Sequence, residues 1–513
     1  MSLVYDAIII GSGLGGLSCG AYLSRNNWKV LVIERHNRPG GYATSFRRGD
    51  YTFDSTLHMI AGVGKGQDMY RFFEWCGVAD SIEFLKLKHF ARLVFPELDF
   101  RIPSGNLEEF KTLLETKFPN EKGIRPLFKE MTRVHDDIRK FVSSEAPMWQ
   151  QLPVFPFKYR SLFPMLKKTV RQLLDKYIND CKLKAILLAN YGFFGLPPSR
   201  LNALAVYGNI TYWTDGAYYP KGGNQVIPNA FADIIKDNNG EIHLNSQVIS
   251  IIIDNNKAIG VTTKKGEEYF AKNIISNASA TETFHSLIGD QKLPDKFVAR
   301  MDKMEPSLSG FIVYLGLDEN FKAKLDNTED YEIIVSETYD QDKDYEWVLQ
   351  CDAEKASFFI TLHSNIDKSL ALGNRFVLSI VQGQSYSHWK KFEAGYNAGK
   401  KDEYNKEKDR FASILIKRAE KIIPELSNHI EVVESATPLT LRRYTGNFNG
   451  AFYGWANTTS QFTPMDRIAK NPIKNLHLCS AWTFPGEGQA TTVACGYRLG
   501  KKLAGTRNLG QKM

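Results

Sequence analysis

The apolar positions near the start of the chain form two short runs, residues 5–10 (YDAIII) and 28–34 (WKVLVIE). Short apolar runs bounded by turn residues are typical of buried strands. Between them, residues 11–16 form a glycine-rich turn, and residues 17–26 have the pattern of a helix with small residues near its start. This order of strand, glycine-rich turn, helix and strand predicts a βαβ unit.

The rest of the chain mixes helical and strand patterns, which predicts an α/β fold. Helices are predicted over residues 68–77, most of 108–141, and 166–191, 225–236, 405–423 and 491–503. Strands are predicted over residues 92–102, between 241 and 276, and over 310–316 and 475–481. Residues 147–164 are rich in proline and aromatic side chains, and we expect them to be irregular.

The glycine-rich turn has the spacing of a dinucleotide-binding site. Gly11, Gly13 and Gly16 form G-x-G-x-x-G between a strand and a helix. The first glycine allows a tight turn, the second lets the backbone approach a pyrophosphate, and the third lets the helix pack on the strand. Glu34, at the end of the next strand, can accept hydrogen bonds from ribose hydroxyls. The alternative is a glycine-rich turn beside a surface glutamate, which we disfavour because the motif stands in the right structural context.

The residues after Glu34 favour FAD over NAD. A second glycine pair, Gly40 and Gly41, follows Arg38 and Pro39. Such a pair lets the chain pass close to the second half of a longer cofactor, whereas a nicotinamide dehydrogenase does not need it. The alternative is an ordinary turn with a solvated Arg38.

Composition and charge narrow the class of protein. The chain has 513 residues, 43% of them hydrophobic, and this length predicts roughly two or three lobes. The net charge is +8, and basic and acidic residues are interspersed along the chain, so the charge does not imply a nucleic-acid partner. A basic surface patch that faces acidic lipids is compatible with this charge. The six cysteines form no CxxC pair, which favours a reducing compartment. With no signal-peptide pattern and no long apolar run, we expect a cytoplasmic protein whose membrane contact is peripheral.

Four stretches of the chain resemble the phytoene desaturase-like flavoproteins. They are residues 6–54 with GSGLGG, 219–251 with YPKGGN, 438–455 with PLTLRRYTGNFNGAFYGW, and 476–505 with FPGEGQATTVACGYRLG. This group includes carotenoid desaturases, carotenoid cis–trans isomerases and retinol saturases, and it belongs to the amine oxidase-like FAD superfamily. The resemblance covers essentially the whole chain and does not specify the substrate.

The resemblance implies a discontinuous Rossmann-like FAD-binding domain with an inserted substrate or cap domain. The FAD-binding domain would comprise residues 1–75, 219–290 and 470–513, and the cap domain residues 76–218 and 291–469. Contacts with FAD are implied for Gly11, Gly13, Gly15, Gly16, Glu34, Arg35, Gly40, Gly41, Thr44, Ser45, Val248, Ala481, Pro485, Gly486, Gly488 and Thr492. The N-terminus of the last helix would stabilise the negative charge of reduced flavin.

The chain departs from the family pattern at two places. Where the family often has glycine soon after Asp54, this chain continues with Ser-Thr-Leu-His58. The C-terminal motif has Thr-Phe-Pro-Gly at residues 483–486 instead of a cysteine-containing version, which favours the isomerase and desaturase pattern over the saturase one.

Because a flavin carries the redox chemistry, the sequence predicts neither a nucleophile nor a metal site. Candidate acid–base residues are His58, Asp54 and Glu487. A structural histidine is the alternative for His58, a loop-holding role is favoured for Asp54, and a solvent-facing side chain is the alternative for Glu487. Since no second glycine fingerprint follows a strand, the electron partner is oxygen, a quinone or transiently bound NAD(P)H.

Residues 147–174 favour a lipophilic substrate and contact with a membrane surface. The segment has no acidic residue, and its basic residues stand among aromatic and aliphatic ones. That mixture suits a surface that enters the lipid headgroup layer, whereas the alternative is a cap whose aromatic residues form its core.

The leading hypothesis is an FAD-dependent oxidoreductase that desaturates, saturates or isomerises a conjugated polyene or isoprenoid. Its alternatives are a flavin amine oxidase and a non-catalytic flavoprotein that carries a lipophile.

Overall fold

The strands and helices follow the mixed pattern of the sequence. The computed structural model describes residues 5–56, 58–143, 153–321, 329–463, 471–484, 486 and 488–510. The strands are β1 (Tyr5–Ile10), β2 (Val30–Ile33), β3 (Ser45–Arg48), β4 (Tyr51–Asp54), β5 (Ile60–Ala61), β6 (Phe84–Lys86), β7 (His89–Phe95), β8 (Leu98–Pro103), β9 (Ala217–Pro220), β10 (Glu241–His243), β11 (Val248–Asp254), β12 (Lys257–Thr263), β13 (Glu268–Ser276), β14 (Ser309–Leu317), β15 (Glu332–Val335), β16 (Phe358–Thr361), β17 (Phe376–Gln384), β18 (Ile430–Ala436) and β19 (Leu476–Leu478).

The helices flank and connect these strands. They are α1 (Leu14–Arg25), α2 (Asp68–Cys76), α3 (Leu107–Lys117), α4 (Ile124–Ser143), α5 (Phe155–Lys158), α6 (Val170–Asp175), α7 (Cys181–Leu187), α8 (Ala203–Thr214), α9 (Val226–Asp237), a π-helix (Glu282–Ile288), α10 (Asp295–Asp302), α11 (Gln341–Leu349), α12 (His363–Ile366), α13 (Tyr386–Lys390), α14 (Glu393–Asn397), α15 (Asp402–Glu420), α16 (Pro438–Thr445) and α17 (Gln489–Gly510).

The predicted βαβ unit forms the centre of a first seven-stranded sheet. Strands β10, β2, β1 and β13 pair in parallel in that order, and β19 pairs in parallel with the end of β13. Strands β12 and β11 continue the sheet in antiparallel fashion. Parallel neighbours need a crossover connection, and α1 supplies it between β1 and β2. The carboxyl ends of five strands therefore meet at one edge of this sheet.

A second seven-stranded sheet has the order β18-β14-β17-β16-β15-β7-β8 and is antiparallel except for the pair β15 and β7. Both of its faces are covered. On β14, Ile312 and Tyr314 pack in one core, while Phe311, Val313 and Leu315 pack in the core on the opposite face. Because successive side chains of a strand point to opposite faces, a continuous apolar run such as β14 is buried on both sides.

The structure corrects several predicted elements. The helix expected over most of 108–141 is two helices, because Phe118 precedes Pro119 and leaves the helical conformation with φ −125° and ψ 64°. The first helix begins at Leu14, three residues earlier than predicted. Strands β15, β16, β17 and β18 were not predicted, because short apolar runs cannot be told from buried helix by periodicity alone.

The strands of the first sheet lie within residues 1–75, 219–290 and 470–513, and those of the second lie within 76–218 and 291–469. This distribution is compatible with the predicted domain division, whose boundaries stay a prediction. Within the described part of the chain, no helix has the length and apolar character that a membrane span requires.

Candidate active site

A cavity of about 680 Å³ lies between the first sheet and the second. One part, called here the strand-end part, is lined by residues that follow β1, β2, β13 and β19, such as Gly11, Glu34, Asn277 and Ala481. The carboxyl edge of a parallel sheet is the usual binding place in such folds, because loops diverge there and helix N-termini point to it.

The three glycines of the turn have the physical roles that their spacing predicts. Gly11 has a φ of +87°, which favours glycine. A Cβ atom on Gly13 would lie 2.5 Å from Nδ2 of Asn277, so a side chain there would displace the Asn277 amide. A Cβ atom on Gly16 would lie 2.7 Å from the carbonyl oxygen of Gly11 and 3.0 Å from Cγ2 of Ile9, which is the close helix–strand packing expected of the third glycine.

Asn277 joins this site although it was not predicted. It directly follows β13, and its Oδ1 accepts a hydrogen bond from the backbone N–H of Gly16 at 3.0 Å. Its position after a buried strand was the available signal, but only the pairing of β13 with β1 brings it beside the glycine-rich turn.

Glu34 lies at the end of β2 and lines the cavity together with Arg35. Its Oε2 accepts hydrogen bonds from the backbone N–H and the hydroxyl of Ser12, both at 2.7 Å, and its Oε1 accepts one from the N–H of His36 at 2.8 Å. These bonds hold the carboxylate at the edge of the cavity, where the sequence predicts contact with a ribose.

Two helix N-termini face the same cavity. Helix α1 begins after Gly13, and α17 begins at Gln489 beside Gly488 and Thr492, which also line the cavity. Neither helix has an acidic residue in its first turn. Oε1 of Gln489 is buried and has no hydrogen-bond partner among the described residues. Helix N-termini without carboxylates in their first turns fit the negative charges of a large dinucleotide such as FAD, and the unpaired Oε1 of Gln489 can accept a hydrogen bond from an N–H or hydroxyl group of that ligand.

The structure brings most of the predicted cofactor residues to this cavity. Those that line it are Gly11, Gly13, Glu34, Arg35, Gly40, Gly41, Val248, Ala481, Gly488 and Thr492. Those that do not line it are Gly15, Gly16, Thr44, Ser45 and Gly486. Pro485 and the predicted acid–base residue Glu487 lie outside the described residues.

Asp54 lies behind the cavity wall and does not line it. It is buried, and its carboxylate accepts hydrogen bonds from Ser45 Oγ and Tyr219 OH, both at 2.6 Å, and from the N–H and Nδ2 of Asn224 at 2.9 and 2.6 Å. Burial raises the pKa of this carboxyl, and the four donated hydrogen bonds oppose that shift. Because every contact holds a loop in place, the geometry favours the structural role over acid–base catalysis.

His58, by contrast, lines the cavity. Its Nδ1 lies 2.9 Å from Oε1 of Glu332 and 2.8 Å from Oγ1 of Thr361. Burial by itself lowers the pKa of His58, but the buried carboxylate of Glu332 outweighs it and raises the pKa above the ordinary value. Neither Glu332 nor Thr361 was predicted, because each stands in a short strand far from His58 in sequence.

The remaining part of the cavity, called here the apolar part, extends toward the second sheet. Its lining residues are mainly aromatic and aliphatic: Met59, Ile60, Ile138, Phe141, Phe155, Leu162, Leu166, Phe193, Phe194, Leu204, Val381, Phe452, Phe462 and Phe484. Three of them belong to the segment 147–174, of which residues 153–174 are described. One cavity thus joins a dinucleotide-type site to a surface that suits a lipophilic molecule.

Curated relatives of the chain include three enzymes with different reactions. Prolycopene isomerase of Daucus carota is 28% identical, with 99% of this chain and 81% of the relative covered. All-trans-retinol 13,14-reductase of Rattus norvegicus is 26% identical over 92% of this chain and 81% of the relative. A 4,4'-diapophytoene desaturase of Methylomonas is 25% identical over 94% and 92%. These names confirm the predicted resemblance to the phytoene desaturase-like group.

Solved structures share the fold. An oxidoreductase of Methanosarcina mazei matches with a TM-score of 0.61 at 17% identity, covering 97% of this chain and 99% of that one. Cyclohexylamine oxidase of Brevibacterium oxydans matches with a TM-score of 0.61 at 14% identity, covering 98% and 99%. At these identities the likeness concerns the fold, and it confirms the predicted α/β class.

The family model described as flavin containing amine oxidoreductase matches residues 14–358. That range begins directly after Gly13 and includes α1, Gly40 and Gly41, His58 and strands of both sheets. The chain therefore belongs to the family of flavin-containing amine oxidoreductases, and FAD is its cofactor.

Proposed function

We propose that this FAD-dependent oxidoreductase acts on carbon–carbon double bonds of a lipophilic conjugated polyene or isoprenoid. The observation that carries the proposal is the continuity of the cavity, in which the strand-end part opens into the apolar part. The relatives named as isomerase, reductase and desaturase support a polyene rather than another lipophile. The reaction is a desaturation, a saturation or a cis–trans isomerisation.

The protein contributes binding, orientation and exclusion of water. When bound, FAD accepts or supplies a hydride at its ring system. Backbone N–H groups at the N-terminus of α1 would bind the pyrophosphate, and those of α17 would stabilise negative charge on the flavin. The aromatic walls of the apolar part exclude water from the polyene. His58 can hold a proton at the cavity surface, because its imidazole is fixed by Glu332.

An amine oxidase is the alternative within the family. An aromatic cage for an amine needs two rings free to face the substrate. Trp482 lines the cavity, but its ring packs edge-on against Trp455 at 4.8 Å and its Nε1 donates to Asn447. The Trp482 ring is therefore already engaged by neighbouring side chains, which favours a substrate other than an amine.

The deciding experiment is a visible spectrum of the purified protein, followed by anaerobic reduction and addition of a polyene mixture. We expect a bound flavin. Re-oxidation of the reduced flavin by a polyene identifies a saturase, and bleaching of oxidised flavin identifies a desaturase. Conversion of cis to trans polyenes by reduced flavin identifies an isomerase. A flavin that is unreactive toward every polyene would contradict the proposal and favour the carrier alternative, and peroxide formation with amines would favour the amine oxidase.

We also propose a peripheral membrane contact through residues 153–168. Phe157 and Phe163 expose 72% and 54% of their surface, although both are large and apolar. They stand next to Phe155, Leu162 and Leu166, which line the apolar part of the cavity. Lysine and arginine residues occupy positions 158, 160, 167 and 168 around them. Exposed aromatic residues within a basic surface suit the headgroup region of an acidic membrane, and their position would let a polyene enter the cavity directly.

Replacing Phe157 and Phe163 together by serine should weaken binding to vesicles of phosphatidylcholine and phosphatidylglycerol about tenfold or more, since each ring contributes on the order of 1 kcal/mol when it inserts partly into lipid. Sedimentation with vesicles measures the bound fraction. The matched control replaces Leu113 and Leu372 by serine, because these side chains are also exposed but lie outside residues 153–168. Equal vesicle binding of both double variants would argue against this surface.

A further inference from the structure

The apolar part of the cavity contains one basic side chain, the imidazole of His58. The charged residues that line the cavity are Glu34, Arg35, Glu282 and His58. The first two follow β2, and Glu282 begins the π-helix that follows β13, so these three lie at the strand-end part. Burial, with Glu332 adding, raises the pKa of Tyr212 to about 12, so its phenol stays neutral. Among the described lining residues, His58 alone places a basic side chain in the apolar part.

Hydrogen-bonding contacts at Nδ1 fix the orientation of the His58 ring. Nδ1 contacts both Glu332 and Thr361, and the hydroxyl of Thr361 donates to the second oxygen of Glu332 at 2.8 Å. Glu332 is only 1% exposed, so its carboxylate depends on these two partners. The ring also packs edge-on against Phe193 at 6.1 Å and Phe359 at 6.4 Å. Within the described residues, Nε2 has no hydrogen-bond partner, so it is the ring nitrogen available to a ligand in the cavity.

A polar nitrogen that faces an apolar space carries an energetic cost when the space is filled. A hydrocarbon that displaces water from Nε2 leaves this group unsatisfied, at a cost of about 1–3 kcal/mol, and of more if the ring is charged. A ligand oxygen at that position removes the cost. Because a hydroxyl can both accept and donate, it satisfies the cationic and the neutral ring alike.

We infer that the substrate is a polyene that carries an oxygen function, such as a hydroxyl, which hydrogen-bonds to Nε2 of His58. This inference rests on the proposed function and narrows it from polyenes in general to oxygenated ones. Glu332 is a positioning residue, which acts through the imidazole without touching the substrate. A site built to pair with a substrate hydroxyl rejects the analogue that lacks it more strongly than an apolar pocket rejects a missing methylene.

The test compares polyenes that differ in the hydroxyl group. The FAD-loaded protein is titrated with all-trans-retinol and with axerophthene, in which the hydroxymethyl group is a methyl group. Zeaxanthin and β-carotene provide the same comparison at twice the chain length. We expect the hydroxylated member of at least one pair to bind about tenfold more tightly or better, which corresponds to about 1.4 kcal/mol. Equal affinities within both pairs would overturn the inference.

Variants test the residue itself. His58→Phe should bring the two affinities of the preferred pair together. Because that change leaves the buried Glu332 carboxylate without its main partner, the double variant His58→Phe/Glu332→Leu is also made, since replacing both partners by apolar groups preserves folding better. Retained flavin absorbance shows that each variant is folded. A double variant that keeps the preference for the hydroxyl would overturn the role of His58. If no polyene binds to the flavin-loaded protein, the proposed function itself fails, which is distinguishable from equal binding.

Discussion

Replacing Gly496 by alanine should destabilise the protein by about 3 kcal/mol and weaken FAD binding, because the new methyl group has no room. Gly496 lies on α17 where this helix crosses α1. A Cβ atom there would overlap the hydroxyl of Ser18 and the carbonyl oxygen of Gly15, and it would lie 2.9 Å from the N–H of Cys19. Two of these three atoms belong to the backbone of α1 and cannot rotate away. Since α1 carries the glycine-rich turn at its start, displacement of the helix moves the cofactor site.

Urea denaturation and the flavin absorbance of the purified variant measure the two effects. Gly505→Ala is the matched control, because Gly505 lies on the same helix with nothing within 4 Å of the added Cβ atom. Alanine is the better helix former, so this control should be neutral or more stable by up to about 1 kcal/mol. If Gly496→Ala unfolds at the wild-type urea concentration with its flavin retained, the close packing of α1 and α17 does not support the cofactor site.

Replacing Asp54 by alanine should cost about 3–5 kcal/mol of folding free energy, because four buried donors lose their acceptor at once. Ser45, Tyr219 and Asn224 supply these donors. Asn224 in turn accepts a hydrogen bond from Nε2 of Gln489 at 3.2 Å, at the first residue of α17. We therefore expect weaker flavin binding as well, although Asp54 does not itself line the cavity.

Two further variants separate the hydrogen-bond network from charge alone. Asp54→Asn keeps the shape and one acceptor oxygen, so its loss of stability should lie between those of wild type and Asp54→Ala. Asp50→Ala removes a carboxylate that is half exposed at the turn between β3 and β4 and lies 3.6 Å from Nη1 of Arg375. An exposed pair of this kind contributes less than about 1 kcal/mol, so the control should unfold almost like wild type. Thermal denaturation with equal losses for Asp54→Ala and Asp50→Ala would contradict the structural role.

The cofactor site was largely predictable, because its signals are local in sequence. The spacing of Gly11, Gly13 and Gly16 specifies a tight turn and a close helix, and the structure has both. Glu34 directly follows the second strand of the βαβ unit, where an acidic residue can bind a ribose. Most of the residues that were predicted to contact FAD line the cavity. Ser45 was assigned to FAD by resemblance, but its hydroxyl faces Asp54 instead.

The second sheet and the pair of His58 and Glu332 were not predictable, because they depend on contacts between distant parts of the chain. His58 and Glu332 are 274 residues apart in sequence. Strand β15, which carries Glu332, pairs with β7 on one side and with β16 on the other, and β16 carries Thr361. Nothing in a four-residue apolar strand indicates which neighbours it will have, so the partner of the histidine could not be named in advance.

The sequence by itself determined the βαβ unit, the dinucleotide cofactor and the α/β class, because strand, turn and helix propensities act over short stretches and the glycine spacing is a steric requirement. Only the tertiary structure decided that Asp54 is enclosed by donors, that His58 faces the cavity beside a buried carboxylate, and that the aromatic segment around Phe155 reaches the same cavity. These facts follow from the packing of two sheets against each other, which sets the surroundings of a side chain independently of its neighbours in sequence.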